Sequence, residues 1–270
     1  MSIESKSQLV QADGLRLHVT EFGQGRPLVW LHGAGAGANG VDNFIRNFPE
    51  FPDFHNLVFD APRYGKSDKP AVNAPLFTFN AHQLAAALDT LGITRANFVG
   101  NSLGGATAIK LAATRPDLVD RLILMAPAGL TAPGEPPTDA IKIMVSALQD
   151  GPTREKVAAF LNAIVFDPKL HITEAIIEKR YQASLDPEIQ ATREGTKIVP
   201  SHLHDELKSI KAKSLIIWGR EDAVLPVECG YRAIAGLEYA ELRVISQCGH
   251  WVQHEHAAWF NRAIREFLTT

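Results

Sequence analysis

The sequence predicts an α/β fold, in which a mostly parallel β-sheet is flanked by helices. Short continuous apolar runs, such as 28–31 and 215–218, are typical of strands that are buried on both faces of a parallel sheet. Between these runs lie segments with apolar residues three or four positions apart, such as 103–114, and this spacing is typical of amphipathic helices. Alternation of the two patterns indicates the α/β class.

The predicted elements follow one another along the chain. The first strand, 16–21, alternates apolar and polar residues and is expected to be half-buried. Further strands are predicted at 28–31, 57–59, 97–99, 122–125, 215–218 and 242–245. Helices are predicted at 80–91, 103–114, 227–235 and 257–268.

The alternation stops between residues 130 and 208. This stretch opens with the proline-rich segment 131–137 and continues with helical patterns, one of which has Asp186 as N-cap before Pro187. We therefore expect a core of residues 1–129 and 209–270, interrupted by a helical lid of residues 130–208 that shapes a substrate pocket. An insertion that is purely structural is the alternative.

Composition excludes several classes of protein. The 270 residues carry a net charge of −3, with 46% hydrophobic and 21% charged residues, which excludes a disordered chain and disfavours nucleic-acid binding. Two cysteines, Cys229 and Cys248, cannot form a disulfide framework. The first residues lack a signal-peptide pattern, and no window resembles a membrane span. We expect a cytoplasmic protein that binds neither nucleic acid nor a membrane.

Two glycine motifs predict different chemistry. The segment from Gly35 to Gly40 has the G-x-G-x-x-G spacing of a dinucleotide site, with Asp60 ending the next strand. Pro49 and Pro52 leave room for little more than two helical turns after it, which disfavours a cofactor. The second motif, 100–104, has the G-x-S-x-G pattern between a strand and a helix. This context is that of a nucleophile elbow, with Ser102 as nucleophile.

A nucleophilic serine needs a base and a group that orients the base. Asp222 follows the run 215–218, and His250 follows the strand 242–245, so the order serine, acid, histidine is that of an elbow enzyme. Glu221 is the alternative acid. The oxyanion donors are predicted to be the backbone N–H groups of Leu103, after the serine, and Ala34, after the early strand.

The other histidines give no metal-site pattern. His254 and His256, like His202 and His204, are two positions apart, so neither pair shares a helical face, and no HExxH or paired CxxC motif occurs. We expect no metal and no cofactor, and we expect these histidines to be solvated or capping.

Five stretches together resemble one branch of the α/β-hydrolase superfamily, the meta-cleavage product hydrolases that cleave carbon–carbon bonds during bacterial aromatic degradation. The resemblance covers 30–268. It rests on the glycine loop 32–38 with Asn43, the elbow 99–105, the lid segments 152–155, 166–167 and 172–173, the segment 180–184, and the segment 248–256. The lid arginine and the Gly-His-Trp at 249–251 are the most specific of these features.

The resemblance implies a substrate, a 2-hydroxy-6-oxohexa-2,4-dienoate, and the residues that bind it. Ser102, Asp222 and His250 are similar to the family's triad, and Arg180, Asn43, Asn101 and Trp251 to the groups that hold the carboxylate and the 2-oxygen; Gly33 and Gly35 are expected to border the substrate. The family's chemistry is ketonisation of the dienol followed by hydrolysis. The family also implies a homo-oligomer. From spacing alone, Arg180 would be a lid surface residue and Trp251 a core residue.

The chain departs from the family pattern at two positions. Arg63 stands where the family commonly has glycine, and Ala36 where proline is usual. Both departures are close to the expected site and can change which substrate fits. A serine esterase or lactonase with the same triad is the alternative enzyme. A non-catalytic binding protein and a nucleotide-dependent enzyme are the other readings.

Overall fold

The computed structural model describes residues 5–197, 199 and 201–269, and these residues contain an eight-stranded sheet. The order across the sheet is β1-β2-β4-β3-β5-β6-β7-β8; β1 and β2 are antiparallel to their neighbours, and the pairs from β4 to β8 are parallel. The strands are β1 Lys6–Ala12, β2 Leu15–Phe22, β3 Arg26–Leu31, β4 Phe54–Phe59, β5 Ala96–Asn101, β6 Val119–Met125, β7 Lys213–Gly219 and β8 Ala240–Ile245.

Helices alternate with strands along the chain, and six consecutive helices, α4 to α9, lie between β6 and β7 in the described part of the chain. They are α1 Gly40–Phe44, α2 Leu76–Thr90, α3 Leu103–Thr114, α4 Asp139–Gln149, α5 Arg154–Ala163, α6 Pro168–His171, α7 Glu174–Ser184, α8 Pro187–Thr192, α9 His204–Leu207, α10 Glu228–Gly236, α11 Val252–Glu255 and α12 Ala257–Thr269. The predicted α/β class is confirmed.

The core lies on both faces of the sheet. In β3, Leu28 and Trp30 point to the face that carries Phe44 and Phe260, whereas Val29 and Leu31 belong to the opposite layer with α2 and α3. All four side chains are almost fully buried. Because alternate residues of a strand point to opposite faces, a strand covered on both sides needs an uninterrupted apolar run.

Three sequence predictions need correction. The edge strand β1 was not predicted, because its exposed face makes the apolar pattern weak. The strand β2 is buried on both faces from Leu17 to Thr20 rather than half-buried. The polar His18 can be buried there because its Nδ1 donates to the Asp60 carboxylate and its Nε2 is hydrogen-bonded to the Ser7 hydroxyl. Helix α2 begins four residues earlier than predicted, directly after Pro75.

The stretch predicted as a lid contains the helices α4 to α9 in the described part of the chain. Asp186 caps α8, as predicted, by accepting a hydrogen bond from the Glu188 amide. Val199 makes an isolated bridge to Pro75, the one strand-like pairing described there. The lid role and its limits, 130–208, remain predictions.

The cysteines and the helix lengths bear on two of the classes that composition disfavoured. Cys229 and Cys248 are both buried free thiols. Among the described helices, none combines the length and the apolar character that a membrane crossing requires.

Candidate active site

Ser102 lies at a sharp turn between β5 and α3. Its backbone is in the left-handed region, with φ of +50°, which is strained for a residue other than glycine. The turn is close-packed: a Cβ at Gly100 would lie 2.6 Å from the Gly104 carbonyl oxygen, and one at Gly104 would lie 2.0 Å from the Leu31 carbonyl oxygen. The glycines of the G-x-S-x-G pattern are therefore required by the approach of helix and strand, as an elbow needs.

Asp222 and His250 are in direct contact after the ends of β7 and β8. The His250 Nδ1 lies 2.7 Å from the Asp222 Oδ2, and the Asp222 side chain is fully buried. The other carboxylate oxygen accepts hydrogen bonds from the amides of Val224 and Leu225, at 2.8 and 2.9 Å. A carboxylate held in this way keeps the proton on Nδ1 and leaves Nε2 as the base.

Glu221, the alternative acid, is used elsewhere. It accepts from the Cys248 amide at 3.2 Å and pairs with Arg220, so its carboxylate does not contact His250. This geometry favours Asp222 as the orienting acid.

The predicted oxyanion donors lie beside the elbow. Leu103 is the first residue of α3, so its amide has no acceptor within the helix and lies at the positive end of the helix dipole. A Cβ at Gly33 would lie 2.6 Å from the Asn101 Oδ1 and 3.4 Å from the Ser102 Cβ, so the loop that carries Ala34 packs directly on the elbow. Ala34 and Leu103 both line the cavity that Ser102 lines.

This cavity has a volume of about 1030 Å³. Its wall includes every predicted site residue except Asp222, which lies behind His250; they are Gly33, Ala34, Gly35, Asn43, Asn101, Ser102, Leu103, Arg180, His250 and Trp251. Much of the remaining wall is apolar, and part of it comes from the stretch between β6 and β7, with Ile141, Met144, Leu148, Phe160 and Ile164. The structure thus brings residues from seven separate segments to one pocket.

Arg180 is a buried side chain of the pocket and not the surface residue that its spacing suggested. It is 6% exposed, and its Nε donates to the Ala36 carbonyl at 2.9 Å. No acidic side chain among the described residues forms an ion pair with it, and burial lowers the pKa of Arg180 to about 10. A guanidinium that is buried without a counter-ion is an unusual and costly feature, and it creates a site for an anion.

Helix α7, which carries Arg180, also explains the glycine loop. A Cβ at Gly37 would lie 2.0 Å from the Arg180 carbonyl oxygen, and one at Gly35 would lie 2.7 Å from the Phe160 ring; both glycines have positive φ. The loop glycines therefore permit close approach of the helices above them, without any nucleotide.

The dinucleotide alternative has no support in this geometry. Helix α1 has only five residues, and the Asp60 carboxylate accepts hydrogen bonds from the Gly40 and Lys66 amides and contacts His18. The acid that would bind a ribose is thus engaged inside the protein.

Asn43, Asn101 and Trp251 line the cavity through buried side chains. The Asn43 Oδ1 accepts from Gln253 at 2.7 Å, which leaves its amide nitrogen for the pocket. The Asn101 Nδ2 lies 3.5 Å from the Met125 carbonyl oxygen. Gln253 was not predicted as a site residue, and the signal for it in the sequence was its place two residues after Trp251 in the segment 248–256.

His254 is also buried, which excludes the solvated alternative of the prediction that it is solvated or capping. Its ring is stacked on Trp251 with centroids 4.1 Å apart, and its Nε2 lies 3.2 Å from the His171 carbonyl oxygen. Burial lowers the pKa of His254 to about 4. Nothing in the described residues gathers three or more potential metal ligands.

Comparisons with known proteins agree with this geometry. A sequence profile of the alpha/beta hydrolase family matches residues 28–263. The 2-hydroxy-6-oxononadienedioate/2-hydroxy-6-oxononatrienedioate hydrolase of Burkholderia vietnamiensis is 38% identical, over 99% of this chain and 96% of its own. The 2-hydroxy-6-oxo-6-phenylhexa-2,4-dienoate hydrolase of Burkholderia cepacia is 35% identical, over 99% and 97%.

A solved structure shares the fold over almost the whole length. The meta-cleavage product hydrolase CumD of Pseudomonas fluorescens IP01 superposes with a TM-score of 0.88 at 28% identity, over 97% of both chains. The family profile and the curated relatives cover far more of the chain than a shared motif would. The chain therefore belongs to the alpha/beta hydrolase family, in its branch of meta-cleavage product hydrolases.

Proposed function

We propose that this protein is a hydrolase that cleaves the C5–C6 bond of a 2-hydroxy-6-oxohexa-2,4-dienoate formed by ring fission of an aromatic compound. The observation that carries the proposal is that Arg180 is buried in the same cavity as Ser102 and His250 and forms no ion pair with any acidic side chain that the structure describes. A simple ester gives this cation nothing to bind, whereas the C1 carboxylate of a dienoate supplies its counter-ion. The fork of the guanidinium can donate two parallel hydrogen bonds to a carboxylate.

The first step is a proton transfer within the substrate. The 2-hydroxyl loses a proton and C5 gains one, so the dienol becomes a 2-oxo compound with a C3–C4 double bond. Arg180 and Trp251 stabilise negative charge on the 2-oxygen and carboxylate side during this transfer, and Asn43 and Asn101 position the same end. Ketonisation is needed because a carbon leaving group departs only when its charge spreads into a conjugated carbonyl.

The second step is hydrolysis at C6. Water or the Ser102 hydroxyl adds to the C6 carbonyl, with His250 as base and the amides of Ala34 and Leu103 as donors to the oxyanion. The C5–C6 bond then breaks, its electron pair passes through C4 and C3 to the 2-oxygen, and the 2-oxygen takes up the proton that His250 had accepted. If Ser102 is the nucleophile, a water then hydrolyses the acyl-serine with His250 as base. The balanced products are a 2-hydroxypenta-2,4-dienoate and the carboxylic acid that carries the C6 substituent.

The test measures bleaching of the yellow dienolate across a panel of ring-fission products with different C6 substituents. The wild-type protein is expected to bleach at least one of them and to release the two acids, and Ser102→Ala is expected to remain folded and lose turnover. An aryl ester serves as the comparison substrate. Efficient ester hydrolysis without cleavage of any dienoate would refute the proposal and favour the esterase or lactonase alternative.

The proposal also includes a cytoplasmic location and a homo-oligomeric state, as expected from the cysteine content and from the family resemblance. Light scattering of the purified protein measures the second, and a monomer at micromolar concentration would refute it.

A further inference from the structure

The loop that carries His250 packs against the residues that follow α5. The His250 amide donates to the Ile164 carbonyl oxygen at 2.8 Å. A Cβ at Gly249 would lie 2.8 Å from the same carbonyl oxygen and 2.9 Å from the Val165 Cα, so a larger residue would push the two segments apart. Ile164 also lines the cavity. The backbone of His250 is therefore held by the stretch between β6 and β7 as well as by the core.

Glu255 joins the same two segments through its side chain. Its Oε2 accepts a hydrogen bond from the Phe166 amide at 2.7 Å, and its Oε1 accepts one from the Gly249 amide at 2.9 Å. The Cys248 thiol lies 3.8 Å from Oε1. Each carboxylate oxygen thus binds a backbone amide of a different segment, and one of these amides directly precedes His250 in the chain.

The surroundings of Glu255 indicate a geometric role. No lysine or arginine pairs with it among the described residues, and burial raises its pKa. A half-buried carboxylate without such a partner adds little to stability. It does supply two acceptor oxygens at a fixed separation, and each forms a charge-assisted hydrogen bond with an amide. The side chain therefore holds two backbone amides in one arrangement.

The position of the His250 backbone depends on these contacts. On the core side, the loop is held at Cys248, whose carbonyl oxygen accepts from a backbone amide after β7 at 3.0 Å. The next two amides, of Gly249 and His250, donate to Glu255 and Ile164 instead. A base acts only within hydrogen-bond reach of the proton that it takes, and a misplacement of about 1 Å can cost on the order of 100-fold in rate.

We infer that Glu255 is a positioning residue for His250: its carboxylate joins the loop of this base to residues 164–166. Glu255 is not part of the described wall of the cavity, so it acts through His250 and not on the substrate. The inference rests on the proposed function in that His250 is the base for Ser102, and the esterase alternative needs the same base. Steps that need the base should slow without Glu255, whereas binding of a carboxylate at Arg180 should persist.

The test compares Glu255→Gln with the wild-type protein. Glutamine keeps the length and one acceptor oxygen, but its other end is a donor and cannot bind the amide that faces it. Because burial already disfavours the charged form of Glu255, the neutral variant is expected to fold, and thermal denaturation checks this. Glu255→Asp is the second variant, since it keeps the charge but is too short to reach both amides.

An alkyl fluorophosphonate measures the base directly and needs no dienoate. The Ser102 oxygen bonds to phosphorus, His250 takes the hydroxyl proton, and fluoride leaves. We expect the rate of this reaction, and kcat for an aryl ester, to fall about 10- to 100-fold in both variants. Affinity for a dienoate, measured by calorimetry in the Ser102→Ala background, should not change, because Glu255 does not contact the cavity. A purely structural role would weaken binding together with the rate.

Glu206→Gln is the matched control. Glu206 is also half-buried and joins α9 to α3 by an ion pair with Lys110 at 2.7 Å, but it does not contact the His250 loop. Its variant should keep the wild-type rates. An unchanged fluorophosphonate rate in the folded Glu255 variants would overturn the inference, as would an equal loss of rate in Glu206→Gln or an equal loss of dienoate affinity. Absence of dienoate cleavage by the wild type, with the expected fall in the fluorophosphonate rate, would count against the proposed function alone.

Discussion

Replacing Arg180 with methionine should weaken catalysis and strengthen the fold. Burial lowers the pKa of the Arg180 guanidinium from its ordinary value to about 10, and this difference corresponds to roughly 3 kcal/mol by which the folded state disfavours the charged form. The penalty is present at neutral pH and is relieved only as the pH rises through 10, because the folded-state pKa of this cation is depressed.

Methionine has a similar length and no charge, so Arg180→Met removes this penalty. The change also removes the hydrogen bond to the Ala36 carbonyl, which costs about 1 to 3 kcal/mol when the buried acceptor stays unpaired. The two contributions leave the variant between equal stability and roughly 2 kcal/mol more stable than the wild type. Urea denaturation at pH 7 measures the difference.

Catalysis is expected to change in the opposite direction. Loss of a charged hydrogen bond to the C1 carboxylate should cost about 1.5 to 3 kcal/mol, or roughly 10- to 150-fold in kcat/KM for a dienoate. Stopped-flow absorbance separates ketonisation from cleavage, and the first of these should slow most. Hydrolysis of an aryl ester by the same variant is the control and should change much less. A variant that is both destabilised by more than about 2 kcal/mol and unimpaired on the dienoate would refute the reasoning.

Two further predictions concern His250 and His254. In Asp222→Asn, the amide oxygen of the new side chain can still accept from the Val224 and Leu225 amides, so the loop should persist. The amide nitrogen would face the His250 Nδ1 and favour the tautomer that carries the proton on Nε2, which cannot act as the base. We therefore expect kcat to fall about 10⁴-fold, as in serine proteases. Retention of more than a tenth of the activity would exclude Asp222 as the orienting acid. The pKa of His254 is lowered from 6.5 to about 4, so the unfolded chain takes up a proton at this residue more readily than the folded protein does. The free energy of unfolding should therefore decrease by roughly 3 kcal/mol as the pH falls from 6.5 to about 4. His254→Phe keeps a ring beside Trp251 and should remove that share of the acid sensitivity in urea titrations between pH 4 and 7; an unchanged pH slope would contradict this.

Local sequence determined much of the fold. The runs in β3, β5, β6 and β7 are apolar at consecutive positions because both faces of these strands are covered. Each of these strands can therefore be predicted from its own segment of the sequence. The end of α3 matches its predicted limit, and the cap at Asp186 was predictable because a side chain that caps a helix acts on residues next to it in the chain. The edge strand β1 escaped prediction because its pairing with β2, and not its own pattern, makes it a strand.

Some features of the candidate site were likewise predictable from the sequence, and others were not. The motif around Ser102 was predictable because the turn itself requires small residues, and the order of Ser102, Asp222 and His250 follows from strands that end at one edge of a parallel sheet. Composition and spacing could not tell that Arg180 is buried, that His254 stacks on Trp251, or that Arg63 is bonded to two threonines of the stretch between β6 and β7. Trp251 and His254 are neighbours in the chain, but the other contacts join segments that are more than 80 residues apart in the sequence. Burial of a charge is a property of the assembled pocket. The sequence alone thus determined the scaffold and the candidate reacting groups, whereas only the tertiary structure decided which cations of the cavity have no acidic partner among the described residues and hence which anions the cavity can bind.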